Sequence, residues 1–125
     1  MKYILFIALG GAGGAVSRHL LANWVYRAWD GIFPWGTLLV NMLGSFAIGV
    51  LYVLLVERQY FHPDWRGVLI VGFLGAFTTF STFSIETIAL LETGHTALAA
   101  LYVLGSAVIC VALAGVALHL TRFAI

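Results

Sequence analysis

Four long apolar stretches make up most of this chain of 125 residues. They cover residues 3–26, 35–56, 68–91 and 97–123, and the short connections between them hold most of the charged side chains. Each stretch exceeds the roughly 20 apolar residues that one helix needs to cross a bilayer. Strands of a transmembrane barrel would instead alternate in polarity over about ten residues. The sequence therefore predicts an all-α membrane protein, with four transmembrane helices in a single domain over residues 1–125.

The composition supports a membrane protein and argues against several other classes. Hydrophobic residues make up 62% of the chain and charged residues 9%, whereas soluble domains carry about 25% charged residues. The net charge of +1 provides no basic surface for a nucleic acid. Because the sequence contains no HExxH motif, no P-loop and no recognisable Ser–His–Asp set, an enzyme is not expected.

The third apolar stretch contains the most unusual segment, Gly72–Glu86. It carries five hydroxyl side chains, closely spaced phenylalanines, two glycines and one carboxylate at the expected depth of the bilayer. Lipid offers these polar groups no partners, so they must face a neighbouring helix or a wet pathway. Glycines beside hydroxyl residues also suggest that the third helix breaks in mid-membrane and frees backbone groups to bind an ion. We therefore expect the ion site in this segment.

Polar side chains also recur every four residues in two other stretches, which aligns them on one helix face. Three such residues span about 12 Å at 1.5 Å per residue, a length that suits a permeation path. The alternative for any single Ser or Thr is a hydrogen bond to its own helix backbone. The second stretch carries Thr37, Asn41 and Ser45 in this pattern, and the fourth carries Tyr102, Ser106 and Cys110.

Most of these side chains donate hydrogen bonds, which favours an anion as the bound ion. Aromatic ring edges carry the positive end of a quadrupole, so Phe80 and Phe83 can also contact an anion. The remaining expected donors are Asn41, Ser81, Thr82, Tyr102 and Arg18.

Each of these assignments has a structural alternative. Phe80 and Phe83 would then be ordinary packing aromatics, and Asn41 would form an interhelical hydrogen bond. Arg18 would snorkel from the far end of the first helix. Glu86, near one face with Thr79 and Thr82, would be protonated, paired with a cation or located in a water-filled vestibule.

Three motifs resemble the Fluc (CrcB) family of microbial fluoride channels: Gly10–Arg18, Trp35–Phe46 and Gly75–Glu86. The resemblance extends over the whole chain in length and number of spans. It implies a passive, fluoride-selective channel that exports cytoplasmic fluoride across the bacterial inner membrane. It also implies an antiparallel, dual-topology homodimer with two pores along the subunit interface.

The resemblance also implies roles for individual residues. Carried onto this sequence, Phe80 and Phe83 would contact fluoride through their ring edges, and Cys110 would stand where a hydroxyl is expected. The carbonyls of Gly75 and Thr78 from both subunits would hold a structural sodium ion at the dimer centre. The full pore set is Asn41, Phe80, Phe83, Ser81, Thr82, Tyr102, Ser106, Cys110, Thr37, Glu86 and Arg18.

Two other functions remain open from the sequence. A small four-helix, proton-coupled exporter of drugs or metabolites would be expected to carry a carboxylate in the first span, where this chain has none. A non-transporting assembly subunit would use its glycine and hydroxyl residues for helix packing alone. Small residues at helix-packing spacing, such as Gly10 with Gly14, fit a homodimer as well as packing within one subunit.

Overall fold

The computed structural model describes residues 1–125 and is helical, with no β-strand. Four helical segments are long and apolar enough to cross a membrane. They are span 1 (Lys2–Ala28), span 2 (Trp35–Glu57), span 3 (Arg66–Glu92) and span 4 (Thr96–Ala124). The prediction of an all-α, multi-pass membrane protein is confirmed, and each span begins and ends within two residues of its predicted bounds.

Spans 2 and 3 are not uniform helices. Span 2 is α-helical over Trp35–Leu51 and π-helical over Tyr52–Glu57. Span 3 is π-helical over Arg66–Leu74, continues as a short α-helix over Gly75–Phe77, and resumes as an α-helix over Ser81–Glu92. Between the last two, Thr78 is extended, with φ −77° and ψ 153°.

Glycines set the close approach of span 1 to the first half of span 3. A Cβ on Gly10 would collide with the Val68 carbonyl, and one on Gly14 would collide with the Phe73 carbonyl. The two backbones therefore lie closer than any larger residue permits, which is the packing that small residues allow in lipid. This contact positions the non-helical residues of span 3 relative to span 1.

Span 4 packs on span 2 and on the second half of span 3. Tyr102 is 1% exposed and belongs to a small apolar core with Leu38, Leu90 and Ala99. Many large apolar side chains cover the outer surface of the helices, as a lipid environment requires. Thr37, Glu86 and Tyr102, from spans 2, 3 and 4, meet one another inside the bundle.

Candidate functional site

The side chain of Asn41 bonds to the backbone of span 3 at its non-helical residues. Asn41 Nδ2 donates to the Thr79 carbonyl at 3.0 Å, and the Thr79 N–H donates to Asn41 Oδ1 at 2.8 Å. The amide side chain of Asn41 thus bonds both the N–H and the C=O of Thr79, as the backbone of a neighbouring strand would. It provides the hydrogen-bond partners that lipid cannot offer to these two groups. Asn41 stabilises the non-helical backbone at Thr79, next to the extended Thr78.

The hydroxyl of Thr79 satisfies the start of the following helix. It accepts a hydrogen bond from the Thr82 N–H at 3.3 Å and donates to Thr82 Oγ1 at 3.1 Å. The first N–H groups of a helix lack partners within it, and Thr79 supplies one. Ser81 Oγ lies 3.4 Å from Thr79 Oγ1.

Two backbone carbonyls of span 3 lose their helical partners through these contacts. The N–H of Thr79, four residues after Gly75, donates to Asn41. Likewise the N–H of Thr82, four residues after Thr78, donates to the Thr79 hydroxyl. The carbonyls of Gly75 and Thr78 are therefore released from the i+4 hydrogen bonds of a regular helix.

Glu86 is the centre of a hydrogen-bonded cluster that joins all four spans. Its Oε1 accepts from Thr37 Oγ1 at 2.7 Å and from Tyr26 Oη at 3.3 Å, while its Oε2 accepts from Tyr102 Oη at 3.2 Å. The structure thus brings together Thr37, Glu86 and Tyr102, which were expected to share a path. Tyr26 was missed, because a tyrosine near the end of span 1 gives no sign in the sequence of which way its hydroxyl points.

This cluster borders a cavity of about 250 Å³. Arg18 contributes to its wall and forms no hydrogen bond or ion pair with any residue of the chain, so its charge is available to an anion. Asn23 and His19 are also in the wall, with Asn23 Nδ2 3.1 Å from His19 Nε2. The cavity is lined by Arg18, His19, Ala22, Asn23, Tyr26, Thr37, Val40, Thr79, Thr82 and Glu86.

A second and larger space, a groove of about 610 Å³, has Thr79 in its wall as the cavity does. Phe80 borders it and is 79% exposed on the single chain. Phe83 also borders it, with its ring centroid 5.4 Å from that of Phe80 and 4.9 Å from that of Tyr102. The groove also contains Asn41, Gly44, Ser45, Gly75, Thr78, Ser106 and Cys110.

Ser106 is a buried donor without a partner. It is 8% exposed, and its Oγ forms no hydrogen bond within the chain. An unpaired buried hydroxyl is costly, so a bound ion or water in the groove would satisfy it. Two of the expected site residues, Ser81 and Tyr102, line neither the cavity nor the groove. Tyr102 reaches the site through its contacts with Glu86 and Phe83, and Ser81 does so through Thr79.

Comparison with known families decides the relationship of this chain. Residues 5–118, which include every residue of the cavity and the groove, match the family described as CrcB-like protein, Camphor Resistance (CrcB). The chain belongs to the CrcB family.

Close relatives of this CrcB chain share most of its length. A protein of Hahella chejuensis is 43% identical over 122 residues, covering 98% of this chain and 96% of that protein. A protein of Magnetococcus marinus is 52% identical over 109 residues, covering 86% and 88%. Both carry the name fluoride-specific ion channel FluC.

Proposed function

We propose that this CrcB protein is a fluoride-selective passive ion channel that lets cytoplasmic fluoride leave the cell down its electrochemical gradient. The observation that carries this function is that relatives 43% and 52% identical over most of the chain are named fluoride-specific ion channels. A channel moves an ion without changing a covalent bond, so the protein is not an enzyme.

The path runs from the cavity beside Glu86, past Thr79, into the groove beside Phe80. Arg18, unpaired in the cavity wall, attracts the anion by its charge. Fluoride is small and strongly hydrated, so its passage needs donors that replace its water at each step. The hydroxyl of Thr82 and the second N–H of the Asn41 amide supply such donors, while Thr37 lines the path and donates its own proton to Glu86. This order is supported by Thr79 lining both the cavity and the groove.

In the groove, ring edges and hydroxyls continue the path. The edges of Phe80 and Phe83 present the positive part of their quadrupoles to the ion, and Ser106 offers its unpaired hydroxyl. Cys110 lies one turn further along span 4 and donates more weakly than a hydroxyl would. Ser81 and Tyr102 support the path through their neighbours. Chloride is larger and gains less from this narrow set of contacts.

Two copies inserted antiparallel in the membrane form the channel, with two pores along their interface. The groove is open on the single chain and Phe80 is largely uncovered, which supports a partner subunit that closes it. Dual insertion also agrees with the small difference in the number of Lys and Arg residues between the two sides of the membrane. The membrane is the bacterial inner membrane, where an export path for cytoplasmic fluoride is needed.

A structural sodium ion is held at the dimer centre by the carbonyls of Gly75 and Thr78 from each subunit, at a break in span 3. The support is that both carbonyls have lost the N–H that a continuous helix would provide, because Asn41 and Thr79 capture those N–H groups. Free carbonyl oxygens suit a hard cation. The ion supplies positive charge where the two subunits meet and is not transported.

The test is fluoride efflux from liposomes loaded with potassium fluoride, with valinomycin present and a fluoride electrode outside. We expect rapid fluoride release with little release from chloride-loaded vesicles, and a clear slowing by Phe80→Ile. The matched control, Phe123→Ile, alters a phenylalanine at the end of span 4 that borders neither the cavity nor the groove. Protein that is folded and dimeric but releases no fluoride would refute the channel. Proton-coupled uptake abolished by Glu86→Gln would instead support an exporter.

A further inference from the structure

Tyr26 is held at the wall of the cavity by two independent features. Its ring lies over Gly36, where an added Cβ would be only 2.8 Å from Tyr26 Cε2 and Cζ. Its hydroxyl then reaches Glu86 Oε1 at 3.3 Å and Thr37 Oγ1 at 3.2 Å. Because Gly36 has no side chain, the Tyr26 ring can pack directly on its backbone, and in this position the hydroxyl points to the Glu86 carboxylate.

The carboxylate that Tyr26 contacts is a problem for an anion channel. Glu86 borders the same cavity as Arg18, and an ionised carboxylate in a cavity of about 250 Å³ repels an entering anion over several ångströms. Three hydroxyls donate to it, two of them to Oε1. Donors of this kind spread the negative charge and hold the group in one orientation. Tyr26 is the donor on the cavity side that comes from span 1.

We infer that Tyr26 is a positioning residue for fluoride conduction, which holds and shields the Glu86 carboxylate so that Arg18 dominates the charge of the cavity. This role rests on the proposed channel function. Tyr26 itself need not contact fluoride. The proposal is specific to the hydroxyl, because the ring alone, seated on Gly36, would only fill space.

The first experiment measures fluoride efflux from liposomes for Tyr26→Phe, which keeps the ring and removes the hydroxyl. We expect efflux slower by about three- to tenfold, which corresponds to about 0.6–1.4 kcal/mol in the barrier, the net contribution of one typical hydrogen bond, because two other hydroxyls still donate to Glu86. The slowing should shrink when an impermeant salt is raised from low to high concentration, because salt screens the carboxylate that the Tyr26 hydroxyl no longer covers. Gly36→Ala, which crowds the ring, should slow efflux in the same direction.

A matched control is available at the other end of span 1. Tyr3 packs on Gly67 with an added Cβ only 2.7 Å from Tyr3 Cε2, yet its hydroxyl forms no hydrogen bond within the chain. Tyr3→Phe should therefore conduct like the wild type. Combining Tyr26→Phe with Glu86→Gln should give the rate of Glu86→Gln alone, since no charge is then left to shield.

The outcomes separate this inference from the channel function. If the wild type releases fluoride and Tyr26→Phe releases it at the same rate, the role of Tyr26 is overturned and the channel function stands. If Tyr26→Phe slows efflux equally in the wild type and in the Glu86→Gln variant, the hydroxyl acts by packing, which would also overturn it. No efflux from the folded wild type would refute the channel function itself, and the inference with it.

Discussion

The double hydrogen bond between Asn41 and Thr79 leads to a quantitative prediction. Asn41→Leu keeps a side chain of similar size but removes both bonds, at 2.8 and 3.0 Å. It leaves the Thr79 N–H and carbonyl without partners inside the bundle. Interhelical hydrogen bonds in membrane proteins contribute about 0.6 kcal/mol on average and about 1.7 at most. Two of them therefore predict a loss of about 1–3 kcal/mol in the free energy of unfolding.

The assay is reversible unfolding of purified protein in mixed micelles, followed by tryptophan fluorescence at a fixed protein concentration, because any dimer makes stability depend on concentration. Ser45→Ala is the control, since Ser45 lies one turn from Asn41 on the same helix face but forms no hydrogen bond within the chain. Fluoride efflux should fall with Asn41→Leu as well. If the free energies of unfolding of Asn41→Leu and Ser45→Ala differ by less than about 0.5 kcal/mol, the two bonds do not stabilise the site. That difference is smaller than the average contribution of one interhelical hydrogen bond.

Three further predictions concern packing, the groove and the end of the bundle. Gly14→Ala should destabilise the protein by about 1–3 kcal/mol in the same unfolding assay, since its Cβ would overlap a backbone carbonyl. In the adjacent control, Gly13→Ala, the Cβ meets only an ordinary contact at 3.6 Å. Equal losses of stability in the two variants would contradict the close packing at Gly14. Cys110→Ser should conduct fluoride at least as fast as the wild type, because a hydroxyl donates better than a thiol. Cys110→Val, which has no donor, should conduct more slowly. Faster efflux through Cys110→Val than through Cys110→Ser would show that this position is not in the path. Arg122→Ala breaks the ion pair with Glu57 but should leave the efflux rate and the unfolding midpoint near those of the wild type, because exposed ion pairs contribute little to stability. A large fall in the efflux rate or in the unfolding midpoint would show that Arg122 has a role beyond this pair.

The fold was predictable from local properties of the sequence. Whether a segment such as residues 35–56 crosses a membrane depends mainly on its length and on the transfer free energy of its own side chains. Those quantities do not depend on how the segment packs. The four spans of the structure accordingly match the predicted stretches within two residues at each end.

The candidate site was predictable only in part. The spacing of Thr37, Asn41 and Ser45 indicated a polar helix face, and the structure shows Thr37 and Asn41 bonded to other spans. The sequence left open whether Asn41 forms an interhelical hydrogen bond or lines a path; it bonds the non-helical backbone of span 3 at Thr79 and also borders the groove. The roles in fluoride binding and in sodium binding stay predictions.

The sequence by itself determined that this protein is a membrane-embedded bundle with a polar segment in span 3, because hydrophobic length and helical periodicity are properties of each segment alone. Only the tertiary structure decided which partners the polar groups take. Asn41 meets Thr79, and Tyr26 meets Glu86 across 60 positions of sequence. Such pairs depend on the rotation and separation of whole helices, which close glycine contacts such as those of Gly14 and Gly36 set. No local pattern specifies that geometry.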